Sequence, residues 1–442
     1  MSIRLKFTTA VGLITLAAAV LAISGVRIRP GLILERPLVT SREAADRPDY
    51  VPGQILVKFR PQTQVVARAY ALAALESRAI ARLSRLDIYV VAIPRDESVE
   101  KMVAVYEGNP DVEFAEPNYL CRIDATPNDN LFQYQYALSN TGQQIGSVAG
   151  TPRGKASADI KAPTGWEESK GSPDVLIAVI DTGVDLVHPD LKNKVQGSGR
   201  DFVNNDFDAG DDNGHGSMVA GIAAAETNNG EGVAGVSWNS KILPLKAMNK
   251  DGVGPTDKVA EAIRFAADNG ARIINLSLGS DEPSNTLRDA CKYAFDKGVF
   301  IAASAGNGGA AVHYPAAYDN YVFAVAATDY NDARASFSAI GAEVDAAAPG
   351  VRILAPYPLS LTSPDYLPYA YGDGTSFAAP HVAGLAALIK SLKPSLSPTE
   401  IMNIIRYSAD DVNADQFKGK DEFLGYGRIN IEKAIIPLKI EK

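Results

Sequence analysis

Cysteine is almost missing from this 442-residue chain. The two thiols, Cys121 and Cys291, exclude a disulfide framework, a CxxC redox pair and a cysteine zinc cluster; they read as a linker thiol and a buried helical thiol. Histidine is scarce too, with four residues and no HExxH pattern, so a zinc hydrolase of that type is not supported. Basic residues do not outnumber acidic ones: the formal net charge is −9, and the acid excess lies wholly beyond residue 124. That balance disfavours a nucleic-acid partner and leaves carboxylates to spare for cations. There is no internal repeat and no low-complexity array. What is present, 46% hydrophobic and 21% charged residues over 442 positions, suits globular protein of more than one domain.

Residues 1–26 carry Arg4 and Lys6 ahead of an apolar run over 10–23, with Ala22 and Ser24 as small residues near a cleavage point. This reads as an export signal. The alternative is an uncleaved membrane anchor, because 7–26 is about bilayer length. Either reading places the rest of the chain outside the cytoplasm, secreted or membrane-anchored. Residues 27–50 lack periodicity and read as a linker. In 51–120, strand patterns over 53–59, 87–93 and 112–114 alternate with helical stretches over 65–83 and 98–107, which predicts a small α+β domain. It holds no histidine, and its acids are scattered.

From about residue 127 the composition shifts towards Gly, Ala, Asn and Asp, with a polar loop over 139–158. Non-alternating apolar runs over 175–181, 241–246, 272–278, 299–303 and 321–326 are separated by helical stretches over 215–226, 256–269, 284–297, 376–391 and 397–407. Buried strands alternating with helices predict an α/β fold: a doubly wound, mostly parallel sheet with helices on both faces. Functional groups in such a sheet gather at the carboxyl ends of its strands.

Three residues then stand out. Asp181 ends the run Val175–Ile180 and is followed by Thr182 and Gly183. D-T-G also occurs in aspartic proteases, but this chain has one copy, so that chemistry would need a homodimer. His215 sits in Asn213-Gly214-His215-Gly216-Ser217 at the start of a small-residue helix, whereas His188, His313 and His381 read by default as structural. Ser376 lies between the glycine-rich turn Gly372-Asp373-Gly374 and the apolar run 378–388. Alone, Thr375 or Ser376 would be a helix cap. A hydroxyl at a helix N-terminus also sits beside free N–H groups in a positive field, which suits a nucleophile that generates an oxyanion.

The order Asp181, His215, Ser376, together with Ala305-Gly306-Asn307 and Gly374-Thr375-Ser376-Phe377-Ala378-Ala379-Pro380-His381-Val382-Ala383-Gly384, resembles the subtilisin-like serine proteases, the subtilases. The resemblance extends in particular to their thermitase- and fervidolysin-like members. It implies a subtilisin-like catalytic domain over 128–442, a ferredoxin-like inhibitory and chaperoning propeptide over 51–120, and a processing linker over 121–127. The implied enzyme is a secreted serine endopeptidase made as an autoprocessed zymogen and acting as a monomer on protein and peptide substrates. Its own propeptide would be its intramolecular inhibitor, and a membrane would be involved only if residues 1–26 stay attached. Ser376 would be the nucleophile, His215 the general base and acid, Asp181 the partner of the imidazole, and Asn307 an oxyanion donor.

The same resemblance assigns Ser277, Leu278 and Gly279, with Gly252, Val253 and Gly254, as two backbone segments that clamp an extended substrate. Ser304, Ala305 and Gly306 would line a mainly apolar specificity pocket, with His313 at its floor. It further implies structural calcium: a first site from side chains of Asp129, Asp190 and Asn229 with carbonyls of Glu226, Glu231 and Val233, and a second from Asp201, Asp206 and Asp208. Met218 stands where the family usually has a second histidine. The rival reading is a secreted binding or inhibitor protein on an inactive protease fold, which an intact triad and Asn307 argue against.

Overall fold

The computed structural model describes residues 20–22, 27–29, 50–119, 126–146, 151–196 and 199–440. Most of the segment read as an export signal, and Cys121, lie outside the described residues. Two short strands, β1 (Val20–Ala22) and β2 (Arg27–Arg29), come first, so the stretch read as a linker contains a strand. The chain divides into two compact units, Ala44–Asp124 and the remainder.

The smaller unit runs β3 (Tyr50–Phe59), α1 (Val65–Ala74), β4 (Arg78–Leu83), β5 (Ile88–Ala92), α2 (Val99–Glu107) and β6 (Val112–Tyr119). Its sheet is antiparallel in the order β4-β5-β3-β6, the βαββαβ arrangement of ferredoxin-like domains. The helix expected over 65–83 is thus half the predicted length. Glu76 takes a left-handed φ of 48°, and the chain turns back to pair Arg78–Leu83 with β5. Alanine and arginine favour helix locally, but pairing overrides that propensity. The turn into β5 is held by Asp87, whose carboxylate takes Arg68 at 2.8 Å and Arg82 at 2.6 Å. Ile55, Val57, Phe59, Val91, Met102, Tyr106 and Val112 form its core.

The larger unit continues with α3 (Ala162–Glu168), β7 (Leu176–Asp181), β8 (Arg200–Asp201), α4 (His215–Ala224), β9 (Lys241–Lys246), β10 (Val253–Pro255), α5 (Thr256–Asp268) and β11 (Ile273–Leu276). Next come α6 (Asn285–Asp296), β12 (Phe300–Ser304), β13 (Phe323–Thr328), β14 (Val344–Pro349), β15 (Ile353–Pro356) and β16 (Tyr369–Asp373). The chain closes with α7 (Thr375–Leu392), α8 (Pro398–Ser408) and α9 (Ile431–Ile440). Seven strands form one parallel sheet in the order β14-β13-β12-β11-β7-β9-β8. Strand β14, Val-Asp-Ala-Ala-Ala-Pro, escapes a propensity reading because alanine and aspartate are poor strand formers. Outside that sheet, β15 and β2 flank β16, and β1 pairs antiparallel with β10.

Side chains alternate across the sheet and divide it into two cores. Ile177, Val179, Ile242, Ile273, Phe300 and Val325 face α7, while Leu176, Ala178, Ile180, Leu243, Ile274 and Ile301 face α5 and α6. Helix α7 is buried from Thr375 to Lys390. Its alanines and Gly384 permit that depth: a Cβ on Gly384 would stand 2.5 Å from Val236 Cβ.

Candidate active site

Strand order reverses at β7, with β9 and β8 on one side and β11 to β14 on the other. Such a switch opens a crevice at the carboxyl ends of the strands, and Asp181 is the last residue of β7. Its buried carboxylate accepts through Oδ1 from Thr182 N at 2.8 Å and from His215 Nδ1 at 2.7 Å. With Nδ1–H committed to the carboxylate, the neutral ring carries its lone pair on Nε2. Nε2 is buried and has no hydrogen-bond partner among the described residues.

Ser376 lies in the first turn of α7 and is 2% exposed. The rings of His215 and Phe377 are 5.4 Å apart, so the first turns of α4 and α7 meet beside the serine. Four residues on, Pro380 has no N–H to return to the Ser376 carbonyl. Ser277 Oγ donates to that carbonyl instead, at 2.7 Å, and itself takes Asn275 Nδ2 at 2.9 Å. Asn307 accepts through Oδ1 from Thr375 N at 2.8 Å and Thr375 Oγ1 at 2.9 Å, which turns its Nδ2 to the opposite side. Thr375 Oγ1 also accepts from Gly306 N at 3.1 Å. A hydroxyl, an imidazole braced by a carboxylate, and an amide donor at a helix N-terminus are the parts needed for acyl transfer.

Of the segments expected to form the cleft, two touch this group directly, through Ser277 Oγ on the Ser376 carbonyl and Gly306 N on Thr375 Oγ1. Ser277, Leu278, Ser304 and Ala305 are buried, and Ser280 and Tyr314 exchange backbone hydrogen bonds at 2.8 and 2.9 Å. His313 N donates to Ala305 O at 2.9 Å. Gly306, at φ 118°, leaves space that the His313 ring takes: a Cβ there would be 2.8 Å from the ring. A Cβ on Gly279 would stand 3.0 Å from His313 Cβ. His313 therefore lies against both glycines, and its Nε2 pairs with the exposed Asp281 carboxylate at 3.0 Å. Strand β10 contains Val253 and Gly254, and β1 shows that its edge accepts an antiparallel strand.

The loops holding the first group of expected calcium ligands are gathered together. Asp190 is fully buried; it accepts from Asn229 Nδ2 at 2.9 Å, Val233 N at 2.9 Å and Tyr369 OH at 3.1 Å. Burial pushes its carboxyl up to about 6, against the opposing pull of those hydrogen bonds. Asp129 is buried with Oδ2 on Asn228 N at 2.7 Å and Oδ1 without a partner among the described residues, and burial raises its carboxyl too. Gly232 must be glycine, since a Cβ would stand 2.0 Å from Asp190 Oδ2. Glu226 donates its N–H to Asp190 O at 2.7 Å, whereas the Glu231 side chain is exposed.

The second group is arranged differently. Asp201 is buried, but its oxygens take Val203 N, Asn204 N and Asn204 Nδ2 from its own loop, and Asp206 and Asp208 are exposed and accept from Asp208 N and Gly210 N. Among the described residues, no group of three or more His, Cys, Asp or Glu side chains stands ready to hold a metal.

Met218 is buried in an apolar cluster with Tyr136, Ile222, Ile353 and Phe377. His188 and His381 are buried and bonded to Pro368 O and Phe377 O, each at 2.9 Å, as structural histidines. Thr182 and Thr375, read in the sequence only as a motif neighbour and a helix cap, and Asp211, given no role there, hold the principal groups. The closeness of Asp211 to His215 in the chain was the one available signal.

The Subtilase family model matches residues 172–427, and that of the fervidolysin N-terminal prodomain matches residues 39–118. The thermophilic serine proteinase of Bacillus sp. (strain AK1) is 42% identical over 388 residues, covering 87% of this chain and 88% of its own. Thermitase of Thermoactinomyces vulgaris is 44% identical over 277 residues, covering 62% of this chain and 93% of its own. The crystal structure of fervidolysin from Fervidobacterium pennivorans, a keratinolytic enzyme related to subtilisin, superposes with a TM-score of 0.58 at 26% identity, covering 89% of this chain and 62% of that one. With the fold, the Asp181–His215 pair and the Ser376 helix already in place, these matches settle the family: the chain belongs to the subtilases and is a subtilisin-like serine endopeptidase with an N-terminal prodomain.

Proposed function

We propose that this endopeptidase is exported as a zymogen and frees itself by cutting its own chain between Tyr119 and Pro127. The observation that carries the reading is the buried 2.7 Å His215–Asp181 hydrogen bond beside a serine at a helix N-terminus. His215 Nε2 takes the Ser376 proton as Oγ attacks a peptide carbonyl, then returns it to the leaving amine. Asp181 stabilises the imidazolium, and Asn307 Nδ2 with the Ser376 N–H receives the oxyanion. The substrate strand is held between residues 252–254 and 277–279, a role supported by the strand pairing already seen on β10.

The pocket formed by Ser304, Ala305 and Gly306 favours apolar side chains, and its depth is set by His313. In His313→Gly, preference among peptide anilides is expected to move towards larger P1 residues, and an unchanged preference would refute that role. Calcium is the cation the first site suits, because the orphaned Asp129 oxygen and a buried, desolvated Asp190 supply hard anionic donors. The shell would be Asp129, Asp190 and Asn229 side chains with the carbonyls of Glu226, Glu231 and Val233; bound there, the ion supplies charge compensation and ties three loops together.

The deciding experiment compares wild type with Ser376→Ala. Wild type should mature and hydrolyse casein, and the variant should remain the full zymogen. A wild type that never matures and does not react with a serine-directed fluorophosphonate would favour the binding-protein reading.

A further inference from the structure

Helix α4 begins with a difficulty. Its N-cap is Gly214, which has no side chain to satisfy the free N–H groups of the first turn. Those groups are met from outside the helix. His215 N donates to Asn213 Oδ1 at 3.2 Å, Gly216 N to Thr182 Oγ1 at 2.9 Å and Ser217 N to Asp211 Oδ2 at 2.9 Å. Asp211 is the hub. Its Oδ1 also accepts from Thr182 Oγ1 at 2.8 Å, Asn213 N at 3.0 Å and Gly214 N at 2.9 Å, and its Oδ2 accepts from Ser217 Oγ at 2.7 Å.

Five donors therefore converge on one buried carboxylate: one from Thr182, just past the end of β7, two from the turn Asn213–Gly214, and two from Ser217 in the first turn of α4. Thr182 is the residue after Asp181, and its own N–H donates to Asp181 Oδ1. Ser217 and Gly216 follow His215 directly. The circuit closes through the His215–Asp181 hydrogen bond itself. On the far side of Thr182, Lys246, the register partner of Asp181 on β9, donates to Thr182 O at 2.6 Å and to Asp212 Oδ1 at 2.5 Å.

We infer that Asp211 is a positioning residue for the reaction: it locks the end of β7 to the first turn of α4 and so fixes the distance and plane in which His215 meets Asp181. An ionised carboxylate is the one side chain of this size that only accepts. An amide in its place must aim an N–H at Ser217 N–H or at the three donors on Oδ1. A displacement of about 1 Å in such a constellation costs on the order of 10²-fold in rate.

The test uses full-length Thr182→Val and Asp211→Asn, with steady-state kinetics on a peptide anilide across pH and unfolding monitored in parallel. Thr182→Val keeps shape and charge but removes the hydroxyl that joins Asp211 to Gly216. It should fold and mature slowly, with kcat down about 10-fold, KM within about twofold, and the acid limb of kcat/KM moved to lower pH, because a loosened Asp181 stabilises the imidazolium less. Asp211→Asn should lose about 10²-fold in kcat with the same KM. If Asp211→Asn does not fold, Thr182→Val decides alone. A Thr182→Val enzyme with wild-type kcat and pH profile overturns the inference, as does a loss of kcat with no movement of the acid limb. The inference rests on the roles given above to Asp181 and His215. His215→Ala distinguishes the two failures: turnover retained in that variant defeats those roles, whereas unaffected Thr182→Val beside an inactive His215→Ala defeats only the role of Asp211.

Discussion

At the scale of single residues, the reacting groups and the groups that hold them obey different rules. Asn307 turns its Nδ2 away from Thr375 because its Oδ1 is already held there. Subtilisin, which gave the family its name, loses about 10²–10³ in turnover when its oxyanion amide is removed. Asn307→Ala is expected to lose a comparable factor in kcat with KM little changed, as read from anilide hydrolysis. His381 makes a second test. Burial pushes its imidazole down to about 4, so the folded state stays neutral where the unfolded chain, near 6.5, has gained a proton. Stability is complete above about pH 6.5 and falls as pH drops towards 4, by about 3 kcal/mol from this group alone. In the inactive Ser376→Ala background, denaturant unfolding from pH 7 to 4 should show a shallower loss for His381→Asn than for its parent. The residues proposed to react stood out in the sequence because such chemistry dictates residue type, motif and order. Their holders were not: Thr182 meets Asp211 across 29 positions, Thr375 meets Asn307 across 68, and Ser277 meets the Ser376 carbonyl across 99.

Elements tell a similar story. Strands buried on both faces announced the parallel sheet, and the small-residue run announced α7. Propensity failed where pairing decides, as in β4, written in helix-forming letters but held along β5, and in β14, whose alanines suit a crowded sheet beside α7. The loops around Asp129 and Asp190 were legible as acidic, but not their depth. Two buried carboxyls raised by desolvation cost stability when ionised without a counter-charge. A chelator should therefore lower the unfolding temperature, and calcium should restore it. Asp190→Asn should respond less to either, as followed by differential scanning calorimetry.

On the scale of the whole molecule, the two units differ in how their contacts are made. The smaller one closes within Tyr50–Tyr119, its widest pairing being β3 with β6, whereas the seven-stranded sheet joins β7, ending at Asp181, to β11, starting at Ile273. Sheets of that kind form slowly and pass through states with exposed edges. A chain without residues 51–119 is expected to accumulate as inactive protein. Adding 51–119 as a separate polypeptide during refolding should raise the yield of casein-hydrolysing enzyme.

The burial of α7 from Thr375 to Lys390 reaches further than packing. Backbone amides in such a helix exchange with solvent deuterium only when the whole larger unit opens. The body of α7 beyond its first turn is thus among the last parts of the unit to be reached by solvent. Heat should spare that helix until the sheet around it gives way.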